Sequence, residues 1–148
     1  MKLNLAAKLF LSAICYIVVA EIVSTLSAYL TMNYYTDPAY FSVWSKIMMP
    51  GAGPPPASFY YYSISFAFIG GLIFGFVYSR IKGIFGKKTI LQKGLRFGIG
   101  MFLVSGITLI MNLFLLINLP LGLLVSWLVF NGLIVNLIVG ILIAKIFG

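Results

Sequence analysis

Read only for apolar and polar positions, the chain divides into four long hydrophobic stretches joined by connections of unequal length. Lys8–Leu30, KLFLSAICYIVVAEIVSTLSAYL, is apolar almost throughout and carries a single acid, Glu21, near its middle. Three more stretches follow, ending with one that runs nearly to the last residue. About 20 apolar residues span the hydrocarbon of a bilayer as a helix. The pattern therefore predicts helices at about 9–30, 59–79, 97–118 and 121–147. The expected fold class is all-α: an integral membrane protein of one domain, residues 1–148, whose four transmembrane helices form a bundle of two antiparallel hairpins.

The connections carry their own signals. In Thr31–Ser58, Asp37-Pro38 supplies an N-cap and a first-turn proline. Tyr40, Phe41, Val43, Trp44, Ile47 and Met48 then recur on one helical face. The spacing predicts an amphipathic helix over about 38–49, lying in the membrane interface and stopped by Pro50. Gly51–Pro56 is expected to be extended, with Pro54-Pro55-Pro56 a stiff polyproline strap. That strap reads either as plain connection or as a docking strap for a partner. Ser58 is the expected cap of the second long helix, and Tyr60, Tyr61 and Tyr62 at its start resemble an aromatic belt. Residues 80–96 are expected as a basic loop, and Leu119-Pro120 as a tight turn.

Composition sharpens this picture. The chain is 62% hydrophobic and 8% charged, against roughly 25% charged in soluble domains. Its formal charge is +8, and six of its ten basic residues (Arg80, Lys82, Lys87, Lys88, Lys93, Arg96) fall in one connection. With Lys2, Lys8 and Lys145, nine of the ten gather at one end of an alternating four-helix bundle. The positive-inside rule then puts that loop and both termini in the cytoplasm of a multi-pass plasma-membrane protein. Such a charge distribution favours anionic lipid headgroups at the basic loop and argues against nucleic acid. A rival reading takes Leu9–Val19 and Val18-Val19-Ala20 as a cleavable secretory signal. The apolar pattern continuing through Ile22, Val23, Leu26 and Leu30 favours a retained helix.

Much chemistry is excluded outright. There is no His, one Cys (Cys15) and only two acids, Glu21 and Asp37. A His-ligated metal, a haem held by two His, a Cys cluster or a Ser-His-Asp triad cannot be built from these. No cofactor or metal is expected, nor an enzyme: Asp37 lies outside the apolar stretches, so there is no embedded carboxylate pair. Small residues instead recur every four positions, as Ser63, Ala67, Gly71, Gly75 and Ser79, and as Gly132, Asn136, Gly140 and Ala144. Such rows let helices approach closely. The echo between Gly71–Gly75 and Asn136–Gly140 also admits a parallel duplication.

Glu21 is the one residue pointing toward chemistry. An ionisable group at mid-bilayer costs at least ~2.5 kcal/mol, and a polar partner, an ion or a proton must offset it. Counting depth along each helix predicts a polar cluster of Glu21, Thr108, Asn112 and Asn131, with Thr25 at its margin and Ser65 the nearest polar group on helix two. Ser24 and Thr25 share the Glu21 face at i+3 and i+4. The motif Ala20-Glu21-Ile22 followed by Thr25 resembles the small multidrug-resistance transporters, four-helix proteins with one embedded Glu in helix one. The likeness covers roughly a dozen residues, and this chain departs from the family in its length, its long proline-rich connection and its charge bias. What the resemblance implies is Glu21 as a shared site for a proton and a cationic substrate. Two functions follow: a non-catalytic helical module, working through lateral contacts as a homo-oligomer or in a larger membrane complex, or a small proton- or cation-coupled transporter or channel protomer.

Overall fold

A computed structural model describes residues 3–51 and 53–148, and every regular element within them is helical. Lys2, counted above with the basic end, and Ala52, in the expected strap, lie outside the described residues. Four helices are long and apolar enough to cross a membrane: α1 (Leu5–Leu30), α2 (Ala57–Ile81), α3 (Ile90–Leu116) and α4 (Leu121–Phe147).

Local chemistry sets their ends. The Asn4 carboxamide accepts from the Ala7 N–H at 2.8 Å, an N-cap that starts α1 ahead of its apolar stretch and brings Lys8 into the helix. At the other end the Thr31 hydroxyl donates to the Ser27 carbonyl at 2.7 Å. The stretch 80–96, expected as a loop, is mostly helical. α2 runs to Ile81, a 3₁₀ turn covers Lys82–Phe85, and only residues 86–89 lie outside a helix. Gly86 makes the turn at φ 59°, a conformation that suits glycine. Thr89 and Gln92 then form a reciprocal capping box that opens α3 at Ile90. Judging boundaries by apolarity hid this, because Lys and Arg end a hydrophobic run without opposing helix.

Packing follows the small residues. A Cβ on Gly71 would lie 2.5 Å from the Ala13 Cα, and one on Gly75 3.0 Å from the Ser12 Cβ, so α2 presses its glycines onto α1. Ser12 tolerates full burial there because its hydroxyl donates to the Lys8 carbonyl one turn back. α3 meets α4 in the same way. A Cβ on Gly94 would collide with the Ile141 backbone, and one on Gly98 or Gly140 would stand 2.5 Å from a facing carbonyl oxygen. α1 also packs on α4, so these two form the centre, with α2 against α1 and α3 against α4. All three pairs are antiparallel: Ser63 meets Glu21 while Gly75 meets Ser12, Gly94 meets Ile141 while Gly98 meets Asn136, and Ser24 meets Asn131 while Lys8 meets Phe147. The main core, with Tyr78, Phe97, Val139, Ile143 and Phe147, occupies the basic end.

A second, smaller core sits at the far end. There the connection after α1 folds over the α3–α4 turn, burying Trp44 with Leu119, Leu123 and Leu124. The expected helix over 38–49 is correspondingly cut short. Asp37 accepts from the Ala39 N–H at 2.9 Å and starts a 3₁₀ helix over Pro38–Val43, but Trp44 is already extended. Tyr35 stacks on Trp44 at 4.7 Å between ring centroids, and Trp127 lies 6.2 Å from it. Burying the indole between these rings outweighs a further turn of marginal helix.

The glycine seams generate a direct prediction. Gly94→Leu overpacks a backbone contact and should lower unfolding stability by about 1–3 kcal/mol or more. Gly100→Ala, with nothing within 4 Å, should lose none. Reversible unfolding in mixed micelles, followed by circular dichroism, separates the two.

Candidate functional site

α1 and its C-cap carry polar side chains at Glu21, Ser24, Ser27 and Thr31, three or four residues apart, and the first three reach another helix. The Ser63 hydroxyl of α2 donates to Glu21 Oε1 at 2.7 Å. Toward α4, the Ser24 hydroxyl donates to Asn131 Oδ1 at 2.9 Å, and Ser27 and Ser126 pair through their hydroxyls at 3.0 Å. Above them the Trp127 indole N–H donates to the Tyr35 hydroxyl at 3.3 Å. Burial pushes that Tyr35 hydroxyl above its ordinary range, with the Trp127 and Thr31 bonds drawing it partly back. A ladder of polar pairs thus climbs from the middle of α1 to the aromatic cap.

Glu21 itself is half-buried. Ser63 answers one side of its carboxylate. The other side borders an open face of α1 that also carries Ile22, Thr25, Leu26 and Tyr29. Thr25 is exposed on this face, and Ile22 and Tyr29 are 64% and 74% exposed.

The expected cluster is therefore only partly assembled. Asn131 is at the α1–α4 contact but bonds Ser24 rather than Glu21. Thr25 adjoins Glu21 on the open face. Thr108 and Asn112 are not brought to Glu21. Both are exposed on α3, and the Asn112 carboxamide donates to the Thr108 carbonyl of its own helix at 2.9 Å. Counting depth fixes height along a helix but not which way a side chain turns, and α4 stands between α1 and α3. Ser65, also expected nearby, is exposed and bonds the Tyr61 carbonyl.

The partner that depth counting missed, Ser63, heads the small-residue row of α2. Because Gly71 and Gly75 of that row face α1, a residue eight positions before Gly71 faces it as well. In the second row, Asn136 and Gly140 meet Gly98 and Gly94 of α3 through their backbones and Gly132 faces the Phe102 ring, while the Asn136 carboxamide donates to the Gly132 carbonyl of its own helix. Around that ring both helices change winding. Phe102–Gly106 in α3 and Leu128–Ile134 in α4 are π-helical. Asn131 sits inside the second of these segments, a wider turn of the kind often found at functional sites.

No protein-family model matches the chain, and no curated protein or solved structure matches it either.

The Ser24–Asn131 bond should register as a coupling. A double-mutant cycle of Ser24→Ala and Asn131→Ala, read by unfolding in micelles, should give about 0.5–1.5 kcal/mol. The same cycle between Ser24→Ala and Asn112→Ala should give none.

Proposed function

We propose that the protein is a multi-pass protein of the cell membrane whose four long helices cross in alternation, as two antiparallel hairpins with both termini cytoplasmic. The concentration of basic residues at one end of the bundle supports that orientation. Within this frame the protein is a non-catalytic module that acts by lateral contact between helices, as a homo-oligomer or as a subunit of a larger membrane complex. The absence of His and the single Cys support a role without bond-making chemistry.

The observation that carries this reading is the open face of α1 around Glu21. A carboxyl bonded by Ser63 and an exposed threonine hydroxyl share that face with the exposed side chains of Ile22, Leu26 and Tyr29. Hydrocarbon supplies no hydrogen-bond donor, and polar groups in the bilayer interior turn toward one another or toward protein. A neighbouring helix laid along this face would satisfy the carboxylate while covering the apolar side chains around it.

A second reading, proton- or cation-coupled transport, is favoured by the polar ladder from Tyr35 and Trp127 down to Ser24 and Asn131, beside Glu21. The two readings part at Glu21→Gln. Lateral contact keeps its amide-capable partner, whereas coupled transport loses its titrating group.

Ile22→Cys and Leu26→Cys, each in a Cys15→Ser background, should form disulfide-linked species on oxidation in native membranes. Leu115→Cys, on the exposed face of α3, should not. Glu21→Gln should preserve the cross-link and Glu21→Leu should weaken it. Failure to cross-link at both positions overturns the homo-oligomeric form of the lateral reading, and loss of a measured transport activity with Glu21→Gln alone establishes the second.

A further inference from the structure

The basic end holds a feature that lateral packing does not use. Lys8, near the start of α1, and Lys82, in the turn after α2, each bring an ammonium over the ring of Phe147 in α4, at 5.3 Å and 5.9 Å from its centroid. Three segments far apart in sequence thus deliver two positive charges to one ring. The ring face attracts each ammonium but neutralises neither. The two acidic side chains of the chain stand elsewhere, Glu21 in the middle of α1 and Asp37 at the far end. Two ammonium groups gathered at one ring suit an anionic partner.

The arrangement is held in place by packing. Phe147 is 6% exposed and lies 5.8 Å from the fully buried Tyr78 ring, and Phe85, closing the turn that begins at Lys82, stacks on the same Tyr78 at 5.8 Å. Tyr78 therefore braces both the ring under the two lysines and the turn that carries one of them. Next to this pair, Ile84 is 81% exposed in the same turn. Ile90 and Leu91 are exposed just beyond, among Lys87, Lys88 and Lys93. Aliphatic side chains bared between lysines suit neither water nor an acidic protein surface alone. They suit the boundary between headgroups and acyl chains.

We propose that Lys8 and Lys82 hold the phosphate of an anionic phospholipid at the basic end of the bundle, with Ile84 resting among its acyl chains. The site rests on the bilayer placement proposed above. It goes beyond that placement in naming two lysines among the basic residues of this end and one class of ligand.

The test uses the full chain, purified in detergent and given equal phosphatidylglycerol and phosphatidylcholine, with bound lipid read by native mass spectrometry. The protein should prefer phosphatidylglycerol by about tenfold, and Lys8→Gln with Lys82→Gln should remove most of that preference. Lys87→Gln with Lys88→Gln, an equal loss of charge in the same connection, should leave it within about twofold. Lys8→Arg with Lys82→Arg should retain it. Should the glutamine pair fail to fold, Lys82→Gln alone, in an exposed turn, should cost about threefold. Equal losses in the two glutamine pairs mean diffuse attraction and overturn the site. Displacement of phosphatidylglycerol by millimolar inorganic phosphate means a free-anion site and overturns the lipid assignment. A chain that resists carbonate extraction from vesicles yet shows no lipid preference refutes the headgroup site alone, while extraction by carbonate refutes the bilayer placement.

Discussion

Backbone meeting backbone at the basic end is the constraint on which the rest of this molecule depends. Gly71 lies on the Ala13 backbone beside the Tyr16 Cβ, and Gly94 lies on the Ile141 backbone. Approach this close gains dispersion contacts along the whole of both seams and leaves no room for a substituent. It also fixes who neighbours whom. With α2 seated on α1 and α3 seated on α4, the two pairs meet chiefly through α1 and α4, and Phe74 and Tyr78 of α2 reach Phe97 of α3 and Phe147 of α4 across the core they share with Val139 and Ile143.

The far half of the bundle is built differently. Hydroxyls, an amide and an indole add polar bonds between its elements, and its surface is more open. Leu103, Val104, Leu109, Met111, Phe114, Leu115 and Leu116 of α3 are all exposed. α1 is the element that both halves share. Its buried residues Ser12 and Ala13 take the α2 seam, Ser24 and Ser27 take α4, and Glu21 stands between Ser63 and the exposed face of α1.

The four long helices were legible in the sequence because apolar length is a one-dimensional property, read directly along the chain. The arrangement of side chains around each axis was not. Thr108 and Asn112 match Glu21 in height yet belong to a helix on the other side of α4. The information that could have corrected this was present in the row Ser63, Ala67, Gly71, Gly75, since a row that packs as a seam also points its serine at the neighbour. The Thr89–Gln92 capping box likewise marked the true start of α3 within a stretch that charge alone suggested was loop. Trp44 was harder. Its periodicity with Phe41 and Ile47 spoke for a helix, and only the presence of Tyr35, Leu119 and Trp127 around it explains why the chain leaves the helix there.

The paired π segments separate these two halves in a further sense. A π turn holds one residue more than ordinary winding needs, and one residue of α-helix corresponds to about 100° of rotation. Because Phe102–Gly106 absorbs that extra residue, the turns on either side stay in phase, and counting by fours from Gly94 and Gly98 misassigns the faces of α3 from Ile107 onward by about that angle. The row that seats α3 on α4 and the surface α3 presents beyond Gly106 therefore follow two different registers of one sequence.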